Sequence, residues 1–571
     1  MQITVIIPNH PDITLEAREG ASLLPVLRNA GIYLSSPCGG HGTCGKCRVL
    51  LNEDPSFHLA CRTAVQPGLR VYLPAEEENY VIAGDSMQQS SSTGDSMQQS
   101  TSAGDSAQQS SSQSAAAPST ASPVYAAVDL GTTTIAMEAL SQQGEILASW
   151  AGMNPQRTFG ADVVSRQKAA AEGSAGALCE LVRKALTDGL SQLESQIGRP
   201  LAFAALAGNT TMVHLLMGWS TKGLAAWPFA PVSLAETQLA LTIPAPAAFP
   251  ASTEIPAPEA VPASDEIQAS APRPAHELKL HILPGISAYI GADITAGIYA
   301  AGMDQMEENS LLVDLGTNGE MALGSRRGIW TASTAAGPAF EGADITCGTG
   351  SIPGAISDVA IEGAAVRLTL IPGSSSQPAA AGICGSGLIA AICELRRAGV
   401  LDETGLLADP YFDEGFPLTP TIRLYQSDIR KLQTAKAAIA AGIGLLVEQS
   451  GLKTSEISQV FLAGGFGSCL DVDKAIGIGL LPAWTRGKAK AVGNLALTGA
   501  ALAARNAVQS NSPDPTRSAS LDPARSDSPN SAGVFPARLT AIAAASHEVV
   551  LGDSSEFQDR FIDEINFPDL T

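Results

Sequence analysis

Along the first 83 residues, apolar and polar positions alternate with a period of two over Ile3 to Ile7 and Ile13 to Ala17, then take helical spacing from Ser22 to Ala30, with Gly31 as a stop. Alternation returns over Arg48 to Leu51 and Leu69 to Leu73. This order predicts a small mixed sheet crossed by one helix. From 84 to 123 the pattern is lost: the segment is almost entirely Ser, Gln, Gly, Ala, Asp and Thr, a composition that cannot bury a core. A polar ten-residue unit recurs in it with changes, starting at Gly84, Gly94 and Gly104. Too poor in apolar residues to stack as a solenoid, it reads as a flexible tether with a root-mean-square reach of roughly 30 to 40 Å.

Beyond the tether, A-A-V-D-L-G-T-T-T-I-A-M-E-A-L at 126–140 reads as an apolar strand, a tight Gly-Thr turn and a second strand. L-L-V-D-L-G-T-N-G-E-M-A-L at 311–323 repeats it. Such a hairpin can set the backbone N–H groups of Gly131, Thr132 and Thr133, or of Gly316, Thr317 and Asn318, around phosphate oxygens. Asp129 or Asp314 would then face Mg²⁺ or its waters. One D-L-G-T also suits an ordinary β-hairpin, because Gly and Asp are plain turn residues; two copies 185 residues apart are much harder to obtain by chance. A third element, V-F-L-A-G-G-F-G-S at 460–468, runs an apolar strand into Gly464 and Gly465, where missing side chains would let a purine lie against the backbone. The Pro/Ala-rich stretch 243–274 and the Ser/Pro/Asp-rich stretch 509–532 read as surface insertions.

Composition changes this picture in three ways. A length of 571 residues with 45% hydrophobic content allows three or four packed domains. A net charge of -22 repels phosphodiester backbones and anionic lipid, which argues against nucleic-acid and membrane partners. The opening M-Q-I-T-V-I-I-P lacks the layout of a signal peptide, and no apolar run reaches the length of a membrane span, so the cytoplasm is the expected compartment. Nine cysteines, an odd number, do not suggest a secreted disulfide framework and favour metal ligation in a reducing compartment.

The cysteines carry the sharpest chemistry. Cys38, Cys44 and Cys47 lie in C-G-G-H-G-T-C-G-K-C, and Cys61 follows 14 residues after Cys47. An iron-sulfur cluster needs four thiolates, backbone N–H groups aimed at its sulfurs and no bulky side chains nearby. Gly39, Gly40, Gly42 and Gly45 suit the last two needs. The spacing C-x5-C-x2-C with a later Cys is close to the plant-type 2Fe-2S pattern. The alternatives are a zinc site, which usually takes two separated C-x2-C knuckles, and an unliganded loop. His41 lies inside the loop, but four cysteines already complete a ligand set.

Residues 1–83 resemble 2Fe-2S ferredoxins, with one departure: ferredoxins usually place the last cysteine much farther along. The two D-L-G-T hairpins and the 460–468 element together resemble the phosphate-1, phosphate-2 and adenosine motifs of the actin, hexokinase and sugar-kinase superfamily. Their order, with the phrases N-P-Q-R-T-F-G-A-D-V-V-S-R (154–166), G-N-T-T-M-V-H-L-L (208–216), A-G-P-A-F-E-G-A-D-I (336–345), G-I-C-G-S-G-L-I (382–389) and F-L-A-G-G-F-G (461–467), is similar to the reductive activators of corrinoid proteins. The resemblance implies an α/β multidomain chain: a β-grasp 2Fe-2S ferredoxin domain at 1–83, a flexible linker at 84–123, and a two-lobed ribonuclease-H-like ATPase with lobes at 124–308 and 309–571. It also implies an ATP-dependent electron-transfer enzyme with a 2Fe-2S cluster and Mg-ATP, which returns a partner's cobalt from Co(II) to Co(I). Carried over by position, Cys38, Cys44, Cys47 and Cys61 ligate the cluster, while Asp129 and Asp314 flank the magnesium phosphates. The implied partners are a corrinoid iron-sulfur protein or a methyltransferase corrinoid subunit, and a low-potential electron donor; a homodimer stays open.

Plant-type clusters sit near about -400 mV, and each ~59 mV uphill costs a one-electron transfer a factor of ten, which gives ATP its task. Two other readings remain: an electron activator of the 2-hydroxyacyl-CoA dehydratase type, against which the ferredoxin-like module argues, and an ATP-sensing ferredoxin that docks without turnover. Cys347, Cys384 and Cys469 are expected to be structural, and His214 to be a satisfied core histidine. Glu341 and Asp344 face the nucleotide cleft or cap a helix.

Overall fold

The alternating segment at the start of the chain forms a mixed five-stranded sheet in the order β2-β1-β6-β4-β5 around a single helix. Here β1 is Gln2–Ile6, β2 Ile13–Glu16, α1 Leu23–Asn29, β3 Ile32–Leu34, β4 Arg48–Leu51, β5 Asp54–Leu59, β6 Arg70–Tyr72 and β7 Tyr80–Ile82. β1 runs parallel to β6 and antiparallel to β2, the β-grasp arrangement, and β3 pairs with β7 as a separate ribbon. Every second residue of β1 faces the helix, so Ile3 and Val5 pack with Leu23, Leu27, Val49 and Val71. The computed structural model describes the chain except residues 8–11, 31, 35–46, 53, 74–79, 83–122, 245–273, 343–344, 364, 373–379, 465–469, 512–534, 553 and 570–571. The tether, most of both biased insertions, Cys38, His41, Cys44, Asp344, Gly465 and Cys469 therefore lie outside the described residues.

Two further sheets share one topology. In the first, β8 (Tyr125–Leu130), β9 (Thr134–Leu140) and β10 (Ile146–Met153) make an antiparallel meander, and β11 (Ala204–Gly208) lies parallel on the free side of β8. Helices α2 (Val163–Ala169), α3 (Ala175–Ile197) and α4 (Thr210–Met217) flank it. The antiparallel pair β12 (Thr237–Ile243) and β13 (His276–Ile282) completes it, with Ile243 opposite His276 and β13 parallel to β11. The 243–274 stretch thus joins two strands that are already neighbours.

After α5 (Ala292–Ala301), the meander recurs as β14 (Asn309–Leu315), β15 (Gly319–Ser325) and β16 (Gly328–Thr334). The chain then builds a small sheet from β17 (Ala355–Glu362), β18 (Ala365–Leu370) and β19 (Gly382–Ile383), helix α6 (Gly385–Arg397), the short α7 (Tyr411–Glu414), and the pair β20 (Phe416–Pro417) and β21 (Arg423–Leu424). Helix α8 (Gln426–Gln449) leads to β22 (Ile457–Ala463), parallel to β14 as β11 is to β8. α9 (Val472–Gly477), β23 (Ala489–Gly493), α10 (Leu495–Asn511), α11 (Ala537–Ala545), β24 (Ser546–Glu548) and α12 (Ser555–Asp563) follow.

Three cores hold this part together. α3 covers the outer face of the first sheet through Leu186, Leu190 and Leu193, and α8 covers that of the second through Ile439 and Ile443. Between the sheets lie α5 and α10, joined by small residues: Ala296, Ala500, Ala503 and Ala504 are fully buried with Ala127 and Leu312. A Cβ on Gly499 would stand 2.2 Å from the Ala296 carbonyl oxygen, so that crossing requires glycine. Helix α10, late in the chain, also packs on β8 and β11 of the first sheet. The two lobes therefore meet through a shared helical layer rather than through a loop.

Candidate functional site

Cys47 directly precedes β4 and Cys61 sits in a single 3-10 turn after β5. Because Arg48 pairs with Leu59 across the β4–β5 hairpin, the two cysteines fall together at its open end. Their sulfurs lie 3.3 Å apart, and the Ala60 N–H donates to the Cys47 carbonyl at 2.8 Å. A disulfide would need about 2.05 Å. Two thiolates sharing one tetrahedral metal with bonds of about 2.3 Å stand about 3.8 Å apart, close to what is seen. The pair therefore fits an iron-sulfur ligand set. A tight hairpin also explains why the last cysteine needs so short a spacing here.

The two D-L-G-T turns meet tip to tip. Thr133 Oγ1 and Thr317 Oγ1 are 2.8 Å apart, and both residues are buried. Asp129 and Asp314 are the penultimate residues of β8 and β14, so each side chain stands at the mouth of its turn. Asn154 supports the first turn by donating to the Gly131 carbonyl at 2.9 Å. In the second turn the Gly316 N–H is used internally, donating to the Asn318 carbonyl at 3.2 Å. Thr317 donates its hydroxyl to Glu341 Oε2 at 2.5 Å.

Glycines close the floor of the cleft. Gly464 follows β22 at φ 116°, and a Cβ there would lie 2.5 Å from the Leu315 carbonyl oxygen; Gly208 at the end of β11 meets the Leu130 carbonyl in the same way, at 2.9 Å. Asparagine follows the same pattern. Asn209 caps α4 by accepting from the Thr211 N–H at 2.9 Å and donates to Glu320 Oε1 at 3.2 Å. Asn494 accepts from the Leu497 N–H at 2.8 Å in the first turn of α10 and donates to Asp129 Oδ2 at 2.6 Å.

Five carboxylates converge on this cleft. Burial pushes Asp129 up to about 7 against the hydrogen bond from Asn494, with Asp293 and Glu341 adding repulsion. Asp314 is pushed up to about 8 by burial and by the charges of Asp293, Asp129 and Glu341. Asp293, at the start of α5, rises to about 6 through burial, offset by backbone N–H groups. Burial and the charges of Asp293 and Asp314 lift Glu320 well above the usual carboxylate range. Burial also raises Glu341, while hydrogen bonds from Thr133 and Thr317 and the charge of Arg166 oppose the rise. Acids so crowded hold their protons unless an opposite charge stands beside them. Among the described residues no three Asp, Glu, His or Cys side chains stand at metal-ligand spacing.

Of the residues singled out in the sequence, Asp129, Gly131, Thr132, Thr133, Asp314, Gly316, Thr317, Asn318, Gly464 and Glu341 come together at this cleft. Glu341 ends a short 3-10 turn and faces Thr317 rather than capping a helix. His214 is buried with both ring nitrogens occupied, Nδ1 at 2.8 Å from the Thr210 carbonyl and Nε2 accepting from the Val232 N–H at 2.9 Å, and its pKa is lowered by burial. Asp293, Glu320, Asn209, Asn494 and Arg166 were not singled out. The G-N after β11 recurs as Gly493-Asn494 after β23, a repeat that was there to be read.

A β-grasp module with a paired-cysteine hairpin, followed by two ribonuclease-H-like lobes around an acidic cleft, defines the class as an iron-sulfur protein fused to an actin/hexokinase-type ATPase fold. Three family models match: the 2Fe-2S iron-sulfur cluster binding domain over 6–66, the RACo middle region over 125–243, and the C-terminal domain of RACo, the ASKHA domain, over 308–513. Together these matches make the chain similar, over most of its length, to the reductive activators of corrinoid proteins. It is 27% identical over 561 residues to the corrinoid activation enzyme RamQ of Eubacterium limosum, covering 84% of this chain and 89% of that one. It is 30% identical over 221 residues to the [Co(II) methylated amine-specific corrinoid protein] reductase of Methanosarcina barkeri, covering 36% of this chain and 40% of the relative. A solved reductive activator for corrinoid,iron-sulfur protein shares the fold, with a TM-score of 0.61 and 24% identity over 100% of this chain and 99% of that one. Among the described residues no helix is long and apolar enough to cross a membrane.

Proposed function

We propose that this protein takes electrons from a low-potential donor and, with Mg-ATP, returns the cobalt of a corrinoid protein from Co(II) to Co(I). The observation that carries the reading is the pairing, in one chain, of the Cys47–Cys61 hairpin with an acidic cleft between two D-L-G-T turns. Cys38, Cys44, Cys47 and Cys61 would hold a 2Fe-2S cluster, which supplies one-electron transfer when bound. Thr132, Thr133, Thr317 and Asn318 would hold the phosphates beside Gly131 and Gly316, and Gly464 with Gly465 would leave room for the adenosine. Asp129 and Asp314 would work through magnesium and its waters, which would supply the positive charge that their raised proton affinities call for.

The tether at 84–123 would let the domain at 1–83 reach the partner and return, while the lobes at 124–308 and 309–571 close on the nucleotide. A cytoplasmic setting and a homodimer complete the proposal. Activation of a 2-hydroxyacyl-CoA dehydratase is the weaker reading, because the cysteine-bearing module of this chain stands apart from its ATPase lobes in sequence. The test mixes anaerobic, dithionite-reduced protein with a Co(II) corrinoid protein and follows the cobalt absorbance. A Co(I) band that grows only with Mg-ATP supports the proposal; the same trace with and without Mg-ATP, with the cluster intact, refutes it.

A further inference from the structure

Glu341 and Arg166 stand out once the nucleotide contacts are assigned. Glu341 does more than line the cleft: Oε2 accepts the Thr317 hydroxyl at 2.5 Å, and the Thr133 hydroxyl, 2.8 Å from Thr317 Oγ1, extends the chain to the opposing turn. A turn hydroxyl is a donor a phosphate oxygen would take, so the second turn already holds a carboxylate, and that group belongs to the protein.

Arg166 lies on α2 of the first lobe and is fully buried. Its Nε donates to the Gly160 carbonyl at 3.0 Å and, among the described residues, Nη1 reaches only the Met212 sulfur at 3.1 Å and Nη2 has no hydrogen-bond partner. A buried guanidinium so poorly satisfied is costly unless another state supplies an acceptor. Two acidic groups act on it, Asp162 at the cap of its own helix and then Glu341 from the second lobe, and the Asp162 carboxylate is already engaged by the Ser165 N–H and hydroxyl. Glu341 closes a four-residue 3-10 turn set between Gly337 at φ 78° and Gly342 at φ 72°, a segment with glycine at both ends on which a side chain can be re-aimed.

We propose that Glu341 is a built-in stand-in for phosphate that occupies the second turn when nucleotide is absent, and that Arg166 is the positioning residue that receives its carboxylate when nucleotide arrives. The proposal rests on the reading of the cleft as a nucleotide site. Two anions do not share one turn, so an incoming phosphoryl group displaces the carboxylate, and the guanidinium offers it a forked pair of donors. Arg166 belongs to the first lobe and Glu341 to the second, so the exchange ties occupancy of the turn to closure of the lobes. The bound state is then favoured by contacts the empty state lacks.

The test is Mg-ATP titration of the full chain by calorimetry, with unfolding midpoints confirming that each variant folds. E341Q, which removes the competing charge, is expected to bind Mg-ATP about tenfold more tightly than wild type, because an occupied site lowers apparent affinity by the fraction of sites left open. R166M is expected to bind about tenfold more weakly, with R166K recovering part of the loss, and R166M is expected to have no effect when added to E341Q. E341Q that binds no more tightly than wild type, or R166M that weakens binding equally in both backgrounds, overturns the exchange. Failure of wild type to bind Mg-ATP at all would instead remove the nucleotide reading, and the exchange with it.

Discussion

Raising the pH from 5 to 8.5 should destabilise the nucleotide-free protein, and Mg-ATP should cancel the effect. In the unfolded chain the cleft aspartates ionise near their ordinary value of 3.8, whereas in the fold Asp129 holds its proton to about 7 and Asp314 to about 8. Their contribution to stability is therefore fully present below about pH 4 and is lost as the pH rises through 7 to 8. For Asp129 the difference is about three pH units, or about 4 kcal/mol at about 1.4 kcal/mol per unit. Asp314 does not add its full share, because part of its rise comes from the charge of Asp129, and protonating one relieves the other. Between pH 5 and 8.5 only about two of those units are crossed for Asp129, about 3 kcal/mol, and with a partial share from Asp314 the loss is on the order of 3 to 5 kcal/mol, large beside an ordinary net stability of about 5 to 15 kcal/mol. The assay is thermal unfolding followed across the pH range, with and without Mg-ATP, in wild type and in D314N. The expected profile falls for the free protein, flattens with Mg-ATP, and falls less for D314N, which should be the more stable protein at pH 8 although it has lost a cleft acid. A free protein equally stable at pH 5 and 8.5 would refute the account of buried, uncompensated acids.

Three further outcomes are expected. C61S should abolish the visible absorbance of the cluster and electron transfer to the corrinoid, while calorimetry finds the affinity for Mg-ATP unchanged. N494A removes both the α10 cap and the donor to Asp129; at about 1 kcal/mol for the cap and about 1 to 3 kcal/mol for the carboxylate left alone, denaturant unfolding should register about 2 to 4 kcal/mol. Truncation before Ile565 strips Lys436, fully buried and held by burial at a pKa of about 8, of its contact with the Asn566 carbonyl at 2.6 Å, and strips Arg396 of its contact with the Pro568 carbonyl at 3.1 Å. Losing those two carbonyl acceptors should cost about 2 to 4 kcal/mol by the same measurement, with Arg396 keeping its bond to the Leu401 carbonyl.

The strands and turns that could be read in the sequence are the ones marked locally; β3, β5, β10 to β13 and β16 to β21 were not among them. Period-two alternation marks β1 and β2 within one residue, and the repeated D-L-G-T marks the β8–β9 and β14–β15 hairpins. The acids that complete the cleft were not legible, because nothing local marks them. Glu320 is placed by its cross-strand position opposite Asp314, and Asp293 by the entry of α5. Asn494 is 365 residues from the aspartate it holds. Arg166 lay inside a quoted phrase, yet its interest comes from what its Nη2 lacks, a property of the packed interior alone. For Glu341 the sequence allowed the cleft or a helix cap, and only the hydrogen bond from Thr317 separates the two.

The β12–β13 pair has a practical consequence. Ile243 and His276 face each other across one ladder step, so the sheet holds the two ends of the intervening chain together whatever that chain contains. Closing a longer loop there costs only about 0.6 kcal/mol per doubling of its length. A fluorophore, an affinity handle or an electrode anchor could be spliced between these strands, giving a built-in mounting point for watching single molecules deliver electrons.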